Sequence, residues 1–146
     1  MAISYICEGV NKPALNYTII SKWLKALVKN SGNKVGELTY IFCDDDYLKD
    51  INLKFLSHDY YTDIISFDYS EERIISGDFF ISIVRVEDNS HIFGNSVEDE
   101  LLRVIVHGLL HLLGFNDTNK VEQDIMRGRE SECILMYKDL LNGYFI

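Results

Sequence analysis

Two histidines four residues apart stand in an otherwise apolar run, residues 104–117, VIVHGLLHLLGFND. On a helix, His107 and His111 stack on one face. Gly114 follows three residues later. Glycine commonly ends helices, because it reaches left-handed backbone angles without steric cost. The chain can then turn back and present Asp117 to the two imidazoles. Two nitrogens and one carboxylate oxygen are ligands that a zinc ion takes, with a fourth position left open for water. A single histidine on an apolar helix is most often a core residue with an ordinary partner. Two at ligand spacing, buried unpaired, would cost about 1–3 kcal/mol each, and a metal removes that cost. The spacing predicts one zinc ion per chain, held by His107, His111 and Asp117.

The pattern H-x-x-x-H-x-x-G-x-x-D overlays the zinc-protease pattern H-E-x-x-H-x-x-G-x-x-H. The glutamate that serves as general base in those proteases falls on Gly108 here. Without a carboxylate beside the metal, peptide hydrolysis by that route is disfavoured.

The elements that must position these residues follow from periodicity and punctuation. Residues 3–10 read as a first strand, and residues 16–30 as a helix with Ile19, Ile20, Trp23, Leu24, Leu27 and Val28 on its apolar stripe. Residues 34–43 form a second strand with Leu38, Tyr40 and Phe42 on one face. The acidic triplet Asp44, Asp45, Asp46 is read as a helix start rather than a second metal site, since carboxylates satisfy first-turn amides. That helix reaches Phe55 or Leu56, with Leu48, Ile51, Leu53 and Phe55 expected to be buried. After a polar, aromatic loop at 58–61, residues 62–69 and 74–83 are strands, the latter with an expected bend at Gly77–Asp78. Residues 83–93 are read as a short helix. Ser96 caps the central helix, with Glu98, Asp99 and Glu100 in its first turn. Residues 119–142 form a last long helix, its stripe comprising Val121, Ile125, Met126, Ile134, Leu135, Leu140 and Leu141. Gly128 within it costs about 1 kcal/mol relative to alanine and weakens the case for one unbroken helix. Strands that are amphipathic rather than uniformly apolar predict an α+β fold, a mixed four-stranded sheet packed with about five helices. The metal site would lie at the end of the buried central helix.

The 146 residues fit one domain, residues 1–146, with 47% hydrophobic and 25% charged residues as in ordinary globular proteins. The longest apolar segment, residues 101–115, carries Arg103 and two histidines and is too short to span a bilayer. Residues 1–10 lack a basic region followed by an apolar run, so no signal peptide is expected. Cys7, Cys43 and Cys133 form no CxxC pair, which suits a reducing cytoplasm and core roles. The net charge of −9 argues against tight non-specific binding to bare nucleic acid, which rests on a basic footprint. An acidic protein acting on RNA would be brought to it by a partner.

HGLLHLLGFND resembles the H-G-x-L-H-L-x-G-[YF]-D-H signature of the YbeY family of rRNA-maturation metallo-endoribonucleases. INLKFLSHDYYTDIISFDYS and SGDFFIS resemble two further stretches of that family, in the same order and at similar spacing. The resemblance implies a zinc-binding α+β fold and hydrolysis of single-stranded RNA. It also implies a cytoplasmic role in 16S rRNA 3′-end maturation and ribosome quality control. The implied partners are rRNA and the small ribosomal subunit, with a ribosomal protein or GTPase as a further candidate, and neither DNA nor a membrane.

Two positions depart from the family pattern. The third family ligand is a histidine where this chain has Asp117, and the family arginine falls on Leu56. A carboxylate ligand makes zinc a weaker Lewis acid and moves the pH dependence of hydrolysis upward. Without the arginine another cation must meet the phosphate, and Lys54, Arg73, Arg85, Arg103 and Arg127 are the candidates. No general base is assigned. His58, Asp59 and Asp63 lie in the stretch that resembles the active-site loop, where turn and strand-edge roles are the commoner ones. Two alternatives stay open: a non-catalytic, metal-stabilised ribosome-associated module, and a zinc hydrolase of another substrate class.

Overall fold

A computed structural model describes residues 2–58 and 61–143. Nine elements follow one another: β1 Ala2–Cys7, α1 Tyr17–Asn30, β2 Lys34–Cys43, α2 Asp45–Leu56, β3 Ile64–Asp68, β4 Ile74–Ser82, α3 Ile83–Phe93, α4 Val97–Leu112 and α5 Lys120–Leu141. The four strands form one sheet in the order β1-β2-β4-β3, with β3 antiparallel to β4 and the other pairs parallel. This is the mixed α+β architecture that the sequence predicts.

Alternation along the strands divides the sheet into two faces. Leu38, Tyr40, Phe42, Phe79 and Ile81 point into the main core, where α1, α4 and α5 pack. Cys43, Leu48 and Ile65 make a smaller core with α2 on the other face. Tyr5, Tyr40 and Phe79 stand opposite one another on the three parallel strands. Tyr40 stacks on Tyr5 at 5.8 Å and on Phe79 at 4.5 Å between centroids. The Tyr40 hydroxyl donates to the Ile105 carbonyl at 3.2 Å, which ties the aromatic row to α4. Trp23 is fully buried in α1, and its Nε1 donates to the Cys133 carbonyl of α5 at 2.7 Å.

The helix starts expected at Asp44 and Ser96 are capped as predicted, and the other three helices are capped in the same way. Asn16, Asp44, Ser82, Ser96 and Asn119 each accept a backbone N–H of their helix's first turn. Asp45 is held by Ser82 and Arg85 at 2.7 Å each, so the acidic triplet serves structure.

Several expectations need correction. The first strand stops at Cys7 and the third begins at Ile64. The irregularity expected at Gly77–Asp78 lies instead on the facing strand, where the register slips between Val35 and Leu38. Leu53 and Phe55 are exposed, because the buried face of α2 is formed by Leu48 and Asn52. In α5, Val121, Ile125, Leu135 and Leu141 face outward. The buried stripe is Met126, Glu130, Cys133, Ile134, Tyr137 and Leu140. A glutamate within that stripe disguises it in the sequence. Gly128 does not break α5, whose tertiary contacts outweigh its low propensity.

Candidate metal centre

Ten of the sixteen residues of α4 are buried, including Val104, Ile105, Gly108 and Leu109. Gly108 is the point of closest approach to the sheet. A Cβ there would lie 2.7 Å from Phe79 and 2.8 Å from Ile64. The position that carries the zinc-protease glutamate therefore points into the core here, which removes that chemistry on steric grounds. Its neighbours His107 and His111 look out of the core, their side chains 23% and 30% exposed.

The helix ends as its glycine predicts. The Gly114 N–H bonds the His111 carbonyl and the Phe115 N–H bonds the Leu110 carbonyl, the two closures of a Schellman turn. Gly114 has φ of 101°, which a residue with a Cβ adopts only under strain. The chain reverses and returns Asp117, whose carbonyl accepts from the Gln123 side chain at 3.1 Å. The start of α5 thus fixes the loop that carries the carboxylate.

Asp117 Oδ2 lies 3.3 Å from His107 Nε2 and 3.4 Å from His111 Nε2. The two Nε2 atoms are 3.0 Å apart. A tetrahedral zinc with bonds of about 2.1 Å has ligand-to-ligand edges of about 3.4 Å. The three donors therefore fit the metal in kind and in spacing. Behind them, Glu130 Oε2 stands 2.6 Å from His107 Nδ1. A proton on Nδ1 donated to that carboxylate leaves the Nε2 lone pair facing the other donors. Glu130 is 4% exposed, and its other oxygen accepts from Arg103 at 2.9 Å.

Two cavities meet at this trio. One, of about 350 Å³, is lined by His107, Asp117, Arg103, Arg127 and Phe93 among others. The other, of about 570 Å³, is lined by His107, His111, Asp117, Leu56 and His58 among others. Asp63 lines both. Burial pushes the Asp63 carboxyl above its usual range, against the pull of the His107 charge. Burial works to lower the His107 pKa, but the hydrogen bond and charge of Glu130, with Asp117 and Asp63 behind them, outweigh it and raise it.

Of the groups singled out in the sequence, the structure brings together His107, His111 and Asp117. His58 and Asp63 border the site, while Asp59 lies outside the described residues. Leu56 lines the cleft without a charge. Among the candidate cations, Arg103 and Arg127 line a cavity at the site, whereas Lys54, Arg73 and Arg85 line neither. Glu130 is the residue that sequence reasoning missed. The available signal was a carboxylate at core spacing, four residues after Met126 and three before Cys133.

Three metal-type donors at the meeting point of two open cavities form a candidate site for an ion accessible to a substrate. The chain's relatives narrow the class. A family model described as Endoribonuclease YbeY matches residues 9–138. The chain belongs to the YbeY family of endoribonucleases. The protein named endoribonuclease YbeY of Parabacteroides distasonis is 44% identical over 134 residues, covering 92% of this chain and 94% of the relative. That of Flavobacterium johnsoniae is 47% identical over 122 residues, covering 84% and 88%. A solution structure of a Thermotoga maritima protein matches with a TM-score of 0.64 and 27% identity, covering 94% of this chain and 93% of that one.

Proposed function

We propose that this chain is a zinc-dependent endoribonuclease that cleaves single-stranded RNA, acting in the cytoplasm in 16S rRNA 3′-end maturation and ribosome quality control. The carrying observation is the convergence of His107 Nε2, His111 Nε2 and Asp117 Oδ2 within 3.4 Å of one another, open to two cavities, in a chain of the YbeY family. Zinc bound there would supply a Lewis acid for a phosphate oxygen and lower the pKa of a water.

The chain's own residues do the rest. The Schellman turn and Gln123 hold Asp117 against the histidines. Glu130 sets the tautomer of His107. Asp63, lining both cavities, is the side chain placed to exchange a proton with a strand lying across them. No helix among the described residues is long and apolar enough to cross a membrane. The substrates proposed are rRNA and the small ribosomal subunit that carries it, and the net charge of −9 favours delivery to RNA by a ribosomal protein or GTPase.

The test is metal content and RNA cleavage measured on the same preparations. Wild-type protein purified without chelator should carry about one zinc per chain and cut a single-stranded RNA. His107→Ala should lose both. Zinc without cleavage would favour the non-catalytic, metal-stabilised module, and cleavage by metal-free His107→Ala protein would refute the mechanism.

A further inference from the structure

We propose that Arg127, backed by Phe93, is a binding site for a backbone phosphate of the RNA strand on the α3–α5 side of the metal centre. The inference rests on the endoribonuclease reading above and assigns the strand a path. The cavity of about 350 Å³ at the trio runs from His107 and Asp117 to a wall formed by Phe93, Gln123 and Arg127. Phe93 is the last residue of α3 and is 55% exposed, so its ring is open to the cavity that it lines. The Arg127 guanidinium carbon lies 5.8 Å from the centre of that ring. Such a contact steadies a guanidinium by its attraction to the ring while its N–H groups stay free to donate.

Charge accounting singles out the same residue. Arg103, the other cation lining this cavity, is committed to Glu130 at 2.9 Å. Arg127 has no ion pair among the described residues. The nearby acids on α5 are taken, Asp124 by Lys120 at 2.7 Å and Glu130 by Arg103 and His107. Within the cavity, Asp117 faces the two histidines, while Asp63 and Glu100 also line the wall, Glu100 accepting from the neutral Asn95 amide at 3.2 Å. Of the two arginines on this cavity's wall, Arg127 is therefore the one whose guanidinium is not tied to a carboxylate. In a chain of net charge −9, an unpaired exposed arginine beside a bare phenyl ring at the mouth of the metal cleft suits a phosphodiester. The ring and the guanidinium plane also offer an unpaired base a stacking surface, which fits a single strand better than a duplex.

The experiment measures binding of a fluorescein-labelled single-stranded 2′-O-methyl oligonucleotide by anisotropy. It uses the zinc-loaded wild-type protein, Arg127→Ala, Phe93→Ala and Arg73→Ala across a salt series. Arg73→Ala removes the same charge from the turn before β4, away from both cavities. Arg127→Ala should weaken binding about tenfold, and the slope of log Kd against log salt should fall by about 0.7, the share of one phosphate contact on a single strand. Phe93→Ala should weaken binding by a smaller factor, and Arg73→Ala should change it less than twofold. Equal effects of Arg127→Ala and Arg73→Ala, or none from Arg127→Ala, would overturn this assignment and leave the endoribonuclease reading standing. Wild-type protein that fails to bind the strand but still cuts RNA would overturn this assignment alone, and failure both to bind and to cut would overturn both.

Discussion

Glu130 Oε2 lies 2.6 Å from His107 Nδ1, and this half-buried contact joins α5 to the candidate metal centre on α4. Carboxylates in this position orient a ligating imidazole and raise its basicity, and their loss typically costs ten- to a hundredfold in metal affinity. Glu130→Ala should therefore weaken zinc binding by about thirtyfold in competition with a chromophoric chelator. Glu130→Gln keeps an acceptor for Nδ1 but loses the charge and should fall between the two. Wild-type affinity in a folded Glu130→Ala protein would show that the contact is only structural.

The same contact governs pH dependence. The raised pKa of His107 means that protons compete with the metal at higher pH than for an ordinary histidine. Zinc affinity should increase with pH through that raised value and then level off. In the metal-free protein the sign is opposite. The protonated His107–Glu130 pair stabilises the fold fully below the ordinary histidine pKa of about 6.5, and that contribution is lost as pH rises through the folded-state value. In Glu130→Gln the burial of His107 remains while the counter-charge is gone, so the midpoint of zinc uptake should move to lower pH even as the plateau affinity falls. A midpoint that moves up instead would contradict the assigned cause. Zinc titrations between about pH 5 and 8, the range in which histidine titrates, decide the matter.

Much of this centre is legible in the sequence. Histidines at i and i+4, a glycine three residues on and a carboxylate after it are local signals, and α4 with its Schellman turn realises them. The caps at Ser96 and Asp44 were equally local. What could not be read was which residues of α5 face inward. Its exposed Val121, Ile125 and Leu135 mimic a core stripe, while the buried stripe contains Glu130. That glutamate is polar because it serves another helix, 23 residues earlier in the chain. Likewise the sequence offered five cations with equal standing. Only packing separates Arg103, locked to Glu130, from Arg127, exposed beside Phe93.

Asp117 offers a direct test of donor charge. Its side chain is 39% exposed, so replacing it should leave the fold intact. Asp117→Ala should weaken zinc affinity by at least tenfold with little change in thermal midpoint. Asp117→His should keep the metal and restore a neutral three-imidazole set. That set makes the ion a stronger Lewis acid, so the acidic limb of the pH–rate profile should move down by on the order of one pH unit. An unchanged profile in a zinc-loaded Asp117→His enzyme would mean that Asp117 does not ligate.

Gly108 gives the last prediction, and two opposing effects decide its sign. Alanine is the better helix former, by about 1 kcal/mol. Its Cβ, however, would stand 2.7 Å from Cδ1 of Phe79 and 2.8 Å from Cδ1 of Ile64. Phe79 is fully buried and stacked on Tyr40, so it cannot swing away. Overpacking of this kind costs about 1–3 kcal/mol and more where no neighbour yields. The clash should win, and Gly108→Ala should lower the thermal midpoint by about 2–8 °C. Because α4 would be pushed off the sheet beside His107, zinc affinity should fall with it. Shortening the obstructing side chain should restore part of the loss, so the double variant Gly108→Ala, Phe79→Leu should be more stable than the sum of the two single effects. Strict additivity would place the cost in the helix itself, and a positive coupling places it in the contact between α4 and β4 that holds the two histidines over the cleft.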